Sequence, residues 1–153
     1  SGFCTLLHER RRGKIFTTGE GFSNIVGAYI VQRMSICGFM AFSNVHFYDY
    51  MLFQEAHQSA DADESAIMFA VSQSGETEPV LNDVRHARQH GQKIISFTRR
   101  SDSTLAQLSD LVFVVDGAKQ TLAGSLPNRF VGHIILIFEE LMARFFSPAP
   151  DAQ

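Results

Sequence analysis

Only two cysteines, Cys4 and Cys37, occur in the 153 residues, and neither belongs to a Cys-x-x-Cys pair. That is too few for a disulfide framework or a cysteine zinc site, so both read as thiols of a reducing cytoplasm. Long apolar runs are missing as well. The longest, such as Ala66–Val71, have the length of a strand and fall far short of the roughly 18 residues needed to cross a bilayer, which argues against a membrane span. No basic-then-apolar leader opens the chain, so secretion is not indicated. Charge of one sign is scarce too. A formal net charge of −3 and a pI near 6.0 provide no field that would draw nucleic-acid phosphates to the whole surface.

What is present is the composition of a packed globular domain, with 45% hydrophobic and 19% charged residues. At 17.1 kDa the chain has room for one core and not for a second catalytic domain. Five short apolar or β-branched segments bounded by Gly, Ser, Asp or charged residues read as strands: Lys14–Thr18, Gly38–Phe42, Ala66–Val71, Lys93–Thr98 and Leu111–Val115. Ser23–Cys37 and Thr77–His90 have helical spacing between them. In the second of these Thr77 suits the cap, Pro79 the first turn and Gly91 the position just past the end. Strand and helix alternate at the length that right-handed crossovers require. The expected fold is therefore α/β, a three-layer sandwich with a five-stranded, mostly parallel sheet, and the site is expected after Thr18, Phe42 and Val71, at the carboxyl ends of strands. A last helix from about Leu126 to Phe146 carries apolar residues over more than one face, as expected of burial in the core or against a second subunit.

The sharpest local signal is Ser72-Gln-Ser-Gly-Glu-Thr77, directly after an apolar strand and directly before an amphipathic helix. Such a turn aims free N–H groups and the positive end of the helix dipole at one point, and three hydroxyls and an amide surround it. This is a cradle for a phosphate. No lysine follows the glycine and there is no Gly-x-Gly-x-x-Gly, so a nucleoside triphosphate is not the expected ligand.

The run Val71 to Thr77 resembles the signature of the SIS (sugar isomerase) domain, and the likeness extends from about Lys14 to Phe146. Gly19-Glu-Gly-Phe-Ser-Asn24 is similar to the family's turn after the first strand, Phe42-Ser-Asn-Val-His46 to the segment after the second, and Gly124-Ser-Leu-Pro-Asn-Arg129 to the opening of its final helix. The set most resembles the effector domain of RpiR/MurR-type bacterial transcription regulators. The resemblance implies that Ser72, Gln73, Ser74 and Thr77 hold the phosphate of a phosphosugar, that Ser23 and Ser43 face the sugar or its phosphate, and that Gly21, Glu20, Ser125 and Arg129 are further sugar contacts. Glu20 and the bulky Phe22 depart from the small residues commoner in that first turn. On the same resemblance, residues 1–12 are expected to be the end of an N-terminal linker helix, 13–146 the domain and 147–153 a disordered tail. DNA would be reached only through a helix-turn-helix domain upstream, and the expected assembly is a homodimer or homotetramer. No cofactor is implied.

SIS isomerases shift a proton between adjacent carbons and need a carboxylate base and a ring-opening histidine. Glu55 and His133 are the candidates for those roles in the isomerase alternative, although Glu55 and His57 lie in the polar run Gln54–Asp63 that reads as a solvated face. A non-catalytic dimerisation module is the other alternative. His86 and His90 have the spacing of a helical metal pair, but no third ligand is evident, so no metal site is expected.

Overall fold

Period-two alternation of side chains assigns the central strand to both faces of a sheet at once. In a computed structural model, which describes residues 2–43, 65–115 and 129–147, Ile67, Phe69 and Val71 enter one core cluster while Met68 and Ala70 enter the other. Every residue of that strand is buried, which is why its sequence is a continuous apolar run rather than an alternating one. Neighbouring strands split the same way: Ile15 and Phe16 face opposite cores, as do Ile94 and Ile95.

The elements in chain order are α1 (Gly2–Glu9), β1 (Lys14–Gly19), α2 (Phe22–Ile36), β2 (Met40–Phe42), β3 (Ile67–Val71), α3 (Glu78–Gln89), β4 (Lys93–Thr98), α4 (Thr104–Leu108), β5 (Leu111–Val114) and α5 (Phe130–Phe146). The sheet order is β2-β1-β3-β4-β5, and every pairing is parallel. Helices α1, α2 and α5 supply the larger core, with Phe3, Leu7, Val26, Ile30, Met34, Phe130, Ile134 and Phe138. Helices α3 and α4 cover the other face through Val80, Leu81, Val84, Ala87 and Leu105. This is the three-layer α/β sandwich the alternation of segments implies.

Differences from the expected boundaries have local causes. The second strand begins at Met40 rather than Gly38, because Gly38 takes a positive φ of 90° in the turn that closes α2. The last helix is described from Phe130; Leu126 and the tail beyond Ser147 lie outside the described residues. The segment expected to end a linker helix is a helix whose Phe3 and Leu7 are fully buried in the main core. No helix among the described residues is long and apolar enough to cross a membrane.

Candidate functional site

The order of strands locates the site. From β1 the chain crosses to β2 on one side, whereas β3, β4 and β5 extend on the other, so the winding reverses between β1 and β3 and leaves a crevice beyond their carboxyl ends. Gly19 pairs with Val71 and Val71 with Phe97. Three connections therefore leave the sheet at one level: β1 to α2, β3 to α3 and β4 to α4. They enclose a cavity of about 650 Å³ lined by Glu20, Phe22 and Ser23 from the first, Gln73, Ser74 and Thr77 from the second, Arg99 and Arg100 from the third, and Phe130 and Val131 at the start of α5.

Close approach of backbones builds the first two connections. A Cβ on Gly19 would lie 2.8 Å from the Ser23 carbonyl oxygen, so only glycine lets β1 turn this sharply into α2. Gly75 has φ +70°, and a Cβ there would fall 2.2 Å from the Ser103 Oγ and 3.0 Å from the Thr98 Oγ1. Its conformation and its surroundings both exclude a side chain.

Hydrogen bonds hold the 72–77 turn to the β4–α4 connection. The Ser72 N–H extends the ladder to the Phe97 carbonyl at 3.1 Å, the Arg99 N–H donates to the Gln73 carbonyl at 3.1 Å and the Leu105 N–H to that of Gly75 at 3.0 Å. The Glu76 carboxylate accepts from the Thr104 N–H at 2.8 Å and from its hydroxyl at 2.7 Å. Those two donations from Thr104 pull the Glu76 pKa below the ordinary carboxylate value.

Within the turn the hydroxyls divide their work. Ser72 is 2% exposed; its Oγ accepts from the Gly75 N–H at 3.0 Å and lies 2.7 Å from the Thr77 Oγ1. Ser74 is exposed and its Oγ accepts from the Glu76 N–H at 3.1 Å. Thr77 stands at the cap position of α3, yet its side chain makes no capping bond to the helix. The cap expected from the sequence is thus corrected: the hydroxyl of Thr77 turns back to Ser72. In the first turn of α3 the Glu78 and Val80 N–H groups have no partner inside the helix, and Pro79 carries none.

The other sequence-derived positions fall into three groups. Ser23 and Glu20 line the cavity with Gln73, Ser74 and Thr77, and Gly21 lies between them with φ +58°. Ser43, Arg129 and His133 are not among the lining residues. Ser43 follows the edge strand β2, which β1 separates from the crevice, so the loop after Phe42, one of the three expected to form the site, contributes no lining residue among those described. Arg129 is exposed at the cap of α5, and His133 is half-buried one turn into that helix. Glu55, His57 and Ser125 lie outside the described residues. Among the described residues no group of three or more His, Cys, Asp or Glu could hold a metal ion.

Sequence reasoning missed Arg99, Arg100, Phe130 and Val131. The signal for the arginines was available, since Arg99-Arg100 directly follows a strand whose carboxyl end should face ligand. Arg100 forks onto Asp102 with two contacts of 3.1 Å; this bond lowers the Asp102 pKa and raises that of Arg100. Arg99 also lines the cavity and makes no ion pair with a carboxylate among the described residues.

The SIS domain family model matches residues 7–131. An uncharacterized HTH-type transcriptional regulator of Clostridium perfringens is 25% identical over 143 residues, covering 90% of this chain and 49% of the regulator. A 3-hexulose-6-phosphate isomerase of Mycobacterium gastri is 28% identical over 136 residues, covering 85% of this chain and 59% of the isomerase. This chain therefore spans about half the length of both. Among solved structures, the Vibrio vulnificus NanR protein complexed with ManNAc-6P matches with a TM-score of 0.65 and 25% identity, over 93% of this chain and 51% of NanR.

Proposed function

We propose that this chain, which belongs to the SIS domain family, is the phosphosugar-sensing effector domain of an RpiR-type transcription regulator. The observation that carries the reading is the Gln73-Ser74-Thr77 face of a cavity at the sheet's switch point, where neutral donors and a helix start converge. A dianionic phosphate accepts from several donors at once, and Ser72 holds the turn in shape from behind. The sugar then lies toward Ser23, Glu20 and the apolar Phe22, Phe130 and Val131. Likeness to an HTH-type regulator and to NanR with its bound ManNAc-6P supports this reading. DNA contact belongs to a helix-turn-helix domain of the full-length protein, and a cytoplasmic location and a homodimer or homotetramer go with it.

The isomerase is the second reading, favoured by the hexulose-phosphate isomerase relative. Among the described residues that line the cavity Glu20 is the one carboxylate and there is no histidine, whereas proton transfer with ring opening calls for both kinds of group. A thermal-shift panel of pentose, hexose and amino-sugar phosphates, each paired with its unphosphorylated sugar, tests the sensor reading. Stabilisation confined to phosphorylated sugars, with no enzyme-dependent aldose–ketose conversion of the stabilising compound, is expected. Turnover abolished by Glu20→Gln, Glu55→Gln or His133→Ala would transfer the function to the isomerase.

A further inference from the structure

We infer that Arg99 reads a second anionic group on the ligand, a carboxylate, and that the sensed compounds are phosphorylated sugar acids rather than neutral aldose phosphates. The inference rests on the phosphosugar reading of the 72–77 turn. Two arginines enter the cavity from the β4–α4 connection, but their charges are not equivalent. Arg100 is matched by Asp102 in a forked pair, while Arg99, which also lines the cavity, makes no ion pair with a carboxylate among the described residues. Its backbone is fixed, since its N–H donates to the Gln73 carbonyl. A planar, permanently charged fork thus belongs to a residue whose backbone is tied to the 72–77 turn and which lines the same cavity, a space far larger than a phosphate.

Sugar hydroxyls do not require a cation. A carboxylate does, and the guanidinium presents two parallel N–H donors at the spacing of its oxygens. One guanidinium also matches the single charge of a carboxylate, whereas a second phosphate would bring up to about two charges. Glu20 lines the same cavity, and an acidic residue there disfavours a further dianion and suits hydroxyl donors. The ligand is therefore oriented by three chemistries: phosphate on the turn, hydroxyls toward Glu20 and Ser23, and acid on Arg99.

Calorimetric titration of matched pairs tests this: glucose 6-phosphate against 6-phosphogluconate, and arabinose 5-phosphate against 5-phosphoarabinonate, with gluconate as the phosphate-free control. Wild-type protein should bind at least one acid about tenfold or more tightly than its aldose partner. Arg99→Gln should abolish that preference with less than about threefold change for the aldose phosphate, and Arg99→Lys should restore part of it. The melting temperature without ligand should stay unchanged in both variants. Equal loss for acid and aldose would place Arg99 on the phosphate and overturn the inference, as would a wild-type preference for every aldose. Failure of the underlying reading looks different: gluconate would bind as well as 6-phosphogluconate, and Ser74→Ala would alter neither. Absence of binding by every panel member at millimolar concentration would overturn both.

Discussion

The hydroxyl of Thr77 lies 2.7 Å from that of Ser72, so the residue at the cap position of α3 braces the preceding turn instead of its own helix. This separates two kinds of serine. Ser74 is exposed in the cavity wall, and Ser74→Ala should weaken phosphosugar binding by about 1.5–3 kcal/mol, roughly 10- to 150-fold, with little change in melting temperature. Ser72 is buried and accepts from the Gly75 N–H. Ser72→Ala should cost about 1–3 kcal/mol of stability and reduce affinity through the misplaced turn. Thermal melts and titrations on the same samples decide it. Equal melting temperatures for the two variants would contradict this division.

Gly75 offers a sharper test of how the turn is held. Alanine there must adopt φ +70° and place a methyl 2.2 Å from the Ser103 Oγ, so either the turn or the start of α4 has to move. Gly75→Ala should destabilise by about 2 kcal/mol or more, and binding should fall below detection even below the melting temperature. Gly75→Ala combined with Ser103→Gly removes the contact with Ser103 but leaves the backbone strain and the 3.0 Å approach to the Thr98 Oγ1, and it forfeits the Ser103 cap on α4. Gly75→Ala should therefore cost less in the Ser103→Gly background than in the wild type, and an equal cost in both would refute the proposed contact.

Much of the fold could be read from residues 14–115, because each strand is a short apolar block and each helix start carries its own punctuation. Pro79 and Gly91 bracket α3 as anticipated. The 72–77 turn was legible as a candidate ligand site for the same reason: its hydroxyls cluster within six residues. Phe130 and Val131 were not, since they line the cavity with Ser74 only after α5 has packed, and nothing in a local window links them. Glu139 is a further contact that a local window does not show: it accepts from Tyr29 and from the Arg33 Nε at 2.6 Å, tying α5 to α2.

That tie makes acid stability testable. Hydrogen bonds from Arg33 and then Tyr29 hold the Glu139 pKa below the ordinary carboxylate value. A depressed folded pKa means that the stabilisation is complete above the unfolded value of about 4.3 and is lost as pH falls through the folded one. Solvent reaches about a third of both side chains, which limits the gain. Glu139→Gln should lower the melting temperature at neutral pH, and the gap from wild type should close as pH approaches about 3. Measuring the gap isolates this group from Glu76 and Asp102, whose pKa values are also lowered. A gap that stays constant with pH would remove the ionic contribution.

The outer side of α5 bears on assembly. Phe130, Ile134, Phe138, Leu141, Met142 and Phe145 bury one stripe in the chain's own core, but Leu136 remains 69% exposed and borders a shallow depression with Ile137, Glu140, Leu141 and Arg144. An apolar side chain there gains about 1.5–3 kcal/mol on burial, and a two-fold axis uses each such gain twice. Charge introduced at this position should therefore be felt twice as well. Wild-type protein at micromolar concentration is expected to sediment as a dimer or tetramer of the 17.1 kDa chain, and Leu136→Glu should shift it toward monomer by at least about 100-fold in dissociation constant. Because Leu136 is not among the residues lining the cavity, the monomeric variant should keep its phosphosugar affinity within about threefold. A wild-type monomer would refute self-association, and a Leu136→Glu variant that sediments unchanged would place the partner surface elsewhere, on the exposed Ile25 and Ile36 of α2.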